Sequence, residues 1–259
     1  MTRRMLAAVA WIALAGPAEA RIRTQVIEYR QGDTVLQGFL AWNDAARGRR
    51  PGVLVVHEWW GNNRHARNQA RRLAEAGYVG FALDMYGKGK VTTHPEDATK
   101  FVAEATKDAP RMRARFDAAR ALLASRPEVN PKRIAAIGYC FGGAVALEMA
   151  REGEPLAAVA TFHAALRPPE APARKGKVKA PILVQTGGAD PMVPPEAVAA
   201  FEKEMKAAGA RVQVITYPGA KHSFTNPDAD DAGMPGLAYD ADADARSWAA
   251  LLAFFRKTL

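Results

Sequence analysis

Apolar residues along this chain fall into short unbroken runs that alternate with longer stretches of helical spacing. Gly52-Val53-Leu54-Val55-Val56-His57 is apolar at successive positions, as a strand covered on both faces must be. Arg133 to Ile137 reads as another buried strand, and Tyr78 to Leu83, Leu156 to Phe162, Pro181 to Gln185 and Val212 to Tyr217 read as strands. Between them, helices are predicted over 64–76, ending at Gly77, then over 95–107, 110–125, 141–151, 195–208 and 243–256. Ahead of these, Thr24 to Tyr29 and Thr34 to Ala41 flank Gln31-Gly32-Asp33 and predict an antiparallel hairpin. The alternation predicts an α/β fold with a mostly parallel central sheet and helices on both faces.

Composition narrows this only a little. The chain has 259 residues, 49% hydrophobic and 24% charged. That suits one well-filled domain over 21–259 and excludes a disordered or fibrous chain. Residues 1–20 stand apart. Thr2-Arg3-Arg4, an apolar run from Met5 to Ala15 and Ala18-Glu19-Ala20 have the form of a signal peptide cut after Ala20. The expectation is therefore a periplasmic or secreted protein, with no stable membrane insertion after cleavage. The net charge is +9, but its densest cluster, Arg174 to Lys179, has no interleaved aromatics. No nucleic-acid module is recognisable, so no nucleic-acid partner is expected. Asp228, Asp230, Asp231, Asp240, Asp242 and Asp244 crowd one loop region, with a spacing that fits no calcium loop. They read as a solvated acidic loop.

Cys140 is the only cysteine and has no intrachain partner for a disulfide. It lies in Gly138-Tyr139-Cys140-Phe141-Gly142-Gly143, directly after a predicted strand and directly before a predicted helix. That is a nucleophile elbow with cysteine in the serine position. Its glycines allow a sharp turn, and the helix N-terminus beyond it favours negative charge. A thiol nucleophile needs a base, and the base needs an orienting group. Asp190 follows the strand 181–185, and His222 follows the strand 212–217. Nucleophile, acid and histidine thus occur in the α/β-hydrolase order, each beyond the C-terminal end of a strand. The loop His57-Glu58-Trp59-Trp60-Gly61 ends the central strand. It can offer one backbone donor to an oxyanion, the second coming from Phe141. Glu58 in this apolar setting either exchanges a proton with the thiol or caps the helix starting near 62. A metal-binding HExxH pattern fails at Gly61, so neither metal nor cofactor is expected.

These residues together resemble the dienelactone hydrolase family. The marks are His57-Glu58-x-x-Gly61, Asp84-Met85-Tyr86-Gly87, the Cys140 elbow, Asp190 and His222, and the similarity runs from about residue 25 to the C-terminus. The resemblance implies an α/β-hydrolase fold with a Cys-His-Asp triad that opens ester or enol-lactone bonds through an acyl-enzyme. It implies that Glu58 interacts with the resting thiol and that the backbone amides of Trp59 and Phe141 form the oxyanion hole. Tyr86 matches a pocket tyrosine, and Trp60 is expected beside it. Where the family uses arginines to hold a substrate carboxylate, this chain has Lys88 and Lys90, with Lys88 nearest the matching position. A lysine cannot reproduce the bidentate arginine fork. His163 either lines the pocket or packs behind it. The expected partner is a small-molecule ester or lactone, anionic if Lys88 receives it. The expected assembly is a monomer or small homo-oligomer. An esterase or thioesterase of unrelated substrate class, and an exported binding protein that retains the pocket, are the alternatives.

Overall fold

In the computed structural model, which describes residues 21–166 and 171–259, the opening hairpin is β1 (Ile22–Gln31) and β2 (Thr34–Asn43). There follow β3 (Arg50–Val56), α1 (Arg64–Glu75), β4 (Val79–Leu83), α2 (Pro95–Thr106), α3 (Ala109–Ala124), β5 (Val129–Tyr139) and α4 (Phe141–Arg151). The rest is β6 (Val159–Phe162), β7 (Ile182–Gly187), α5 (Pro195–Ala207), β8 (Val212–Tyr217), a short 3-10 turn at Asp230–Ala232, and α6 (Ala241–Thr258). The signal-peptide reading falls on residues outside those described.

The eight strands form one sheet in the order β1-β2-β4-β3-β5-β6-β7-β8. The hairpin joins it antiparallel through β2 and β4, and every pairing from β4 to β8 is parallel. All the parallel strands therefore end on the same edge, and that edge carries the site. Alternation along β3 divides the core. Leu54 and Val56 face a cluster with Phe81, Leu83, Phe116 and Ile134, while Val53 and Val55 face one with Ala135, Ile137, Leu251 and Phe255.

The largest differences from expectation are in β5 and β6. β5 begins earlier, at Val129, because Arg50 and Pro51 pair with Val129 and Asn130 before a register shift at Pro51/Gly52. Pro131, Lys132 and Arg133 interrupt the apolar pattern there and hide the strand. β6 begins later, at Val159, and Leu156 to Ala158 lead into it as loop.

Helix α1 lies close against β4. A Cβ on Gly80 would stand 2.5 Å from the Ala70 carbonyl oxygen and 2.8 Å from its Cα. These are helix backbone atoms that cannot rotate away. Gly80→Val should therefore destabilise by about 1–3 kcal/mol, the usual range for overpacking. Urea unfolding will measure this, and an unchanged midpoint would show that α1 is less firmly seated than described.

Candidate active site

The end of β5 turns into α4 at Cys140, with φ 52° and ψ −117°. Among the described residues, the non-glycine residues with positive φ are Cys140, His163 and Ser223. Such conformations cost roughly 1–3 kcal/mol each and persist only where the surroundings impose them. The elbow glycines supply those surroundings. A Cβ on Gly142 would collide with the carbonyls of Val56 and His57, and one on Gly138 with the backbone of Gly142. The helix thus starts in direct contact with the end of β3. The Cys140 N–H donates to the Phe162 carbonyl at 3.1 Å, and the Cys140 carbonyl accepts from Gly143 N–H at 3.0 Å.

His222 and Asp190 come together as the strand order predicts. Asp190 Oδ2 accepts from His222 Nδ1 at 2.7 Å, and Asp190 Oδ1 accepts from the Met192 N–H at 2.8 Å. A carboxylate can only accept, so the ring proton lies on Nδ1 and Nε2 is left on the side of Cys140. Burial alone would lower the His222 pKa. The Cys140 sulfur and Asp190 outweigh it and raise the value to about 10. The loop after β8 clamps this histidine from outside. His222 N–H donates to the Gly236 carbonyl, and its own carbonyl accepts from Ala238 N–H, each at 3.2 Å.

Glu58 is 1% exposed. Its Oε1 accepts from Ser223 Oγ and its Oε2 from Asn226 Nδ2, both at 2.7 Å, and His65 Nδ1 stands 3.5 Å from Oε2. The thiol is not among its hydrogen-bond partners. Nor does Glu58 cap α1: Asn63 does so, its Oδ1 accepting from Ala66 N–H at 3.3 Å. Beside it, His57 is a clamp. Its Nδ1–H donates to the Glu58 carbonyl at 2.5 Å, and its Nε2 accepts from Met85 N–H at 3.2 Å. The ring thereby ties the loop after β3 to the end of β4.

That loop presents Trp59. Among the described residues, neither the Trp59 nor the Phe141 N–H donates to a backbone carbonyl, so both amides remain available to an oxyanion. Tyr86 is buried, donates its hydroxyl to the Trp59 carbonyl at 3.1 Å and stacks on Phe141 with ring centroids 5.5 Å apart. Burial raises its phenol pKa well above the usual value. Gly61, at φ 91°, fixes the far end of the loop: a Cβ there would strike the Lys90 carbonyl.

Other candidates lie elsewhere. The structure does not bring Lys88 to this group. Its ammonium pairs with Glu28 of the edge strand at 2.6 Å, in solvent. Lys90 pairs with Glu104 at 2.7 Å. Trp60 packs with Ala98, Ala229 and Leu237, although its ring lies 4.6 Å from that of Trp59. His163 is fully buried behind His222, with ring centroids 5.2 Å apart, and its Nε2 meets Thr225 Oγ1 at 2.8 Å. Burial and the neighbouring histidines hold its pKa well below the ordinary value. The acidic loop is only partly solvated. Phe224, Thr225 and Asn226 are buried, Asp228 pairs with Arg64, Asp240 caps α6, and Asp244 pairs with Arg72. Sequence reading missed Ser223, Asn226 and His65. Only Ser223 carried a signal, its place beside His222. Among the described residues, no group of three His, Cys, Asp or Glu side chains is set to hold a metal ion.

A strained elbow at the C-terminal edge of a mostly parallel sheet, with a histidine–carboxylate pair beside it, defines an α/β-hydrolase. The model of the dienelactone hydrolase family matches residues 36–259, and the chain belongs to that family of hydrolases. It is similar to a dienelactone hydrolase-like promiscuous phosphotriesterase from metagenomic libraries, with 39% identity, a TM-score of 0.87, and 92% of this chain and 98% of the other covered. A structure named m3DLH gives 41% identity and a TM-score of 0.87, with 92% and 99% covered. Protein usf of Aquifex pyrophilus is 28% identical over 240 residues, which is 91% of this chain and 99% of usf.

The charge on His222 has a measurable signature. Its pKa lies above the ordinary 6.5. The associated stabilisation of the fold is therefore complete below about 6.5 and is lost as pH rises through about 10. By NMR, the His222 ring should stay protonated through neutral pH. In Cys140→Ala its midpoint should fall, because the interaction with the sulfur is removed. An unchanged midpoint would show that the sulfur and the ring do not interact.

Proposed function

We propose that this protein hydrolyses a small carboxylic ester or lactone through a covalent acyl-enzyme on Cys140. The observation that carries the reading is the 2.7 Å contact from His222 Nδ1 to Asp190, which leaves Nε2 for the Cys140 side. Cys140 Sγ attacks the carbonyl carbon, a C–S bond forms, and the negative oxygen is held by the Trp59 and Phe141 amides. Collapse breaks the C–O bond, and the leaving oxygen takes its proton from His222. His222 then removes a proton from water, which attacks the thioester. The C–S bond breaks, the acid departs and the thiol is restored. Asp190 orients His222 and stabilises its charged form. Glu58 accepts the resting thiol's proton when substrate arrives and returns it to the departing thiolate, and Tyr86 lines the pocket by way of the Trp59 loop. His163 supports His222 from behind. The ion pairs of Lys88 and Lys90 speak against a free lysine waiting for a substrate carboxylate. Export of the protein, directed by residues 1–20, and a monomeric or small homo-oligomeric state belong to the same proposal.

A second reading is hydrolysis of phosphotriesters at the same site. The similarity to a promiscuous phosphotriesterase favours it. At phosphorus the thiolate would displace an aryloxide, and the same amides would receive the phosphoryl oxygen.

Pre-steady-state hydrolysis of p-nitrophenyl acetate should show a burst of about one p-nitrophenolate per Cys140. Cys140→Ala should lose the burst and about a thousandfold or more of the steady rate. Unchanged turnover in that variant contradicts the nucleophile. Running a p-nitrophenyl dialkyl phosphate, an enol-lactone and a thioester beside the acetate ranks the substrate classes by kcat/KM. No turnover of any of them would favour a binding protein.

A further inference from the structure

Glu58 brings a negative charge into a buried site, and the groups around it have a definite hydrogen-bond polarity. Asn226 cannot be turned over. Its Oδ1 accepts from the Asp228 N–H at 3.0 Å, so its NH2 faces Glu58. Ser223 Oγ donates to the other carboxylate oxygen. The third neighbour is His65 of α1, whose ring could present a proton or a lone pair.

Its far side decides the matter. Gln69 Oε1 accepts from Arg72 Nη1 at 3.2 Å, so the Gln69 NH2 points at His65 Nε2, 3.0 Å away. An NH2 group donates, which makes Nε2 an acceptor and puts the ring proton on Nδ1, facing Glu58. The Thr225 carbonyl, 3.2 Å from Nε2, favours the opposite tautomer. It lies farther from Nε2 than the Gln69 amide does, and an Nδ1–H turned toward the carboxylate oxygen 3.5 Å away is drawn by its negative charge without forming a full hydrogen bond. Burial lowers the His65 pKa, with Glu58 opposing, so the ring is neutral near pH 7.

We propose that His65 is a positioning residue for Glu58: it turns its Nδ1–H toward the buried carboxylate, and the chain Arg72–Gln69–His65 sets its tautomer from the surface. A cleft of about 270 Å³, lined by His65, Gln69, Arg72, Asn226 and Asp244 among others, opens behind this pair. The other titratable or charged groups around the pair are His57 on the same loop, Tyr139 of β5, His163 after β6, Arg72 on α1 and Asp244 on α6.

The inference rests on the proposed role of Glu58 as the thiol's proton acceptor. Its test is built to separate the two. Losing an N–H that faces the carboxylate disfavours its charged form, so the acid limb of kcat/KM should move upward. His65→Leu should shift that limb upward by up to about one pH unit, the scale of one polar contact to a buried carboxylate. His65→Asn, which keeps an N–H near the Nδ1 position, should leave it near the wild-type position. Long-range 15N–1H NMR of the unsubstituted protein at pH 7 should show His65 as the Nδ1–H tautomer. An Nε2–H tautomer, or a limb that is the same in the leucine variant as in an active wild type, overturns the inference. Absence of turnover in the wild type would instead strike the proposed function, and the NMR result would still decide the state of His65.

Discussion

The close approach of α4 to the end of β3 is the constraint on which this site depends. Gly142 has no side chain, so the first turn of the helix lies against the Val56 and His57 carbonyls. That contact leaves Cys140 no room to relax from its positive φ. The strain, about 1–3 kcal/mol at one residue, is small beside the burial that opposes it. The apolar core holds both β3 and α4 in place. The same approach sets the Phe141 amide near the loop that carries Trp59. Any side chain at position 142 would push the helix outward and displace the sulfur and one amide together.

Two buried carboxylates stand in this site, and their partners differ. Asp190 meets an imidazole whose pKa it helps to raise. Glu58 meets a hydroxyl, an amide and a neutral imidazole. The segment after β8 supplies partners to both, since His222 binds Asp190 while Ser223 and Asn226 bind Glu58. Movement of that segment therefore acts on the base and on the second carboxylate at once. Its return through Gly236 and Ala238, with Asp228 and Asp244 paired to arginines of α1, restrains it.

The inner parallel strands β3, β4, β6 and β7 were legible because they are buried on both faces, whereas the edge strand β8 alternates with exposed Gln213 and Thr216. β5 shows the limit, since Pro131, Lys132 and Arg133 mask a pairing that begins at Val129. Cys140, Asp190 and His222 were legible because chain order and strand ends carry the information. Partners that depend on tertiary approach were not. His65 looked like one more position on an amphipathic helix, and Asn226 like part of a polar loop. Lys88 looked like a substrate ligand by its place in the loop. Its direction, toward Glu28 of the hairpin, is set by a strand sixty residues earlier in the chain.

The central claim is that a covalent bond forms at Cys140. Rapid acid quench of the protein during p-nitrophenyl acetate turnover, followed by peptide mass spectrometry, tests it most directly. An acetyl group on the peptide holding Cys140, building up to the level of the burst and lost on standing with active protein, is the predicted result. Continued turnover with no adduct on that peptide, or with the adduct on another side chain, would contradict it.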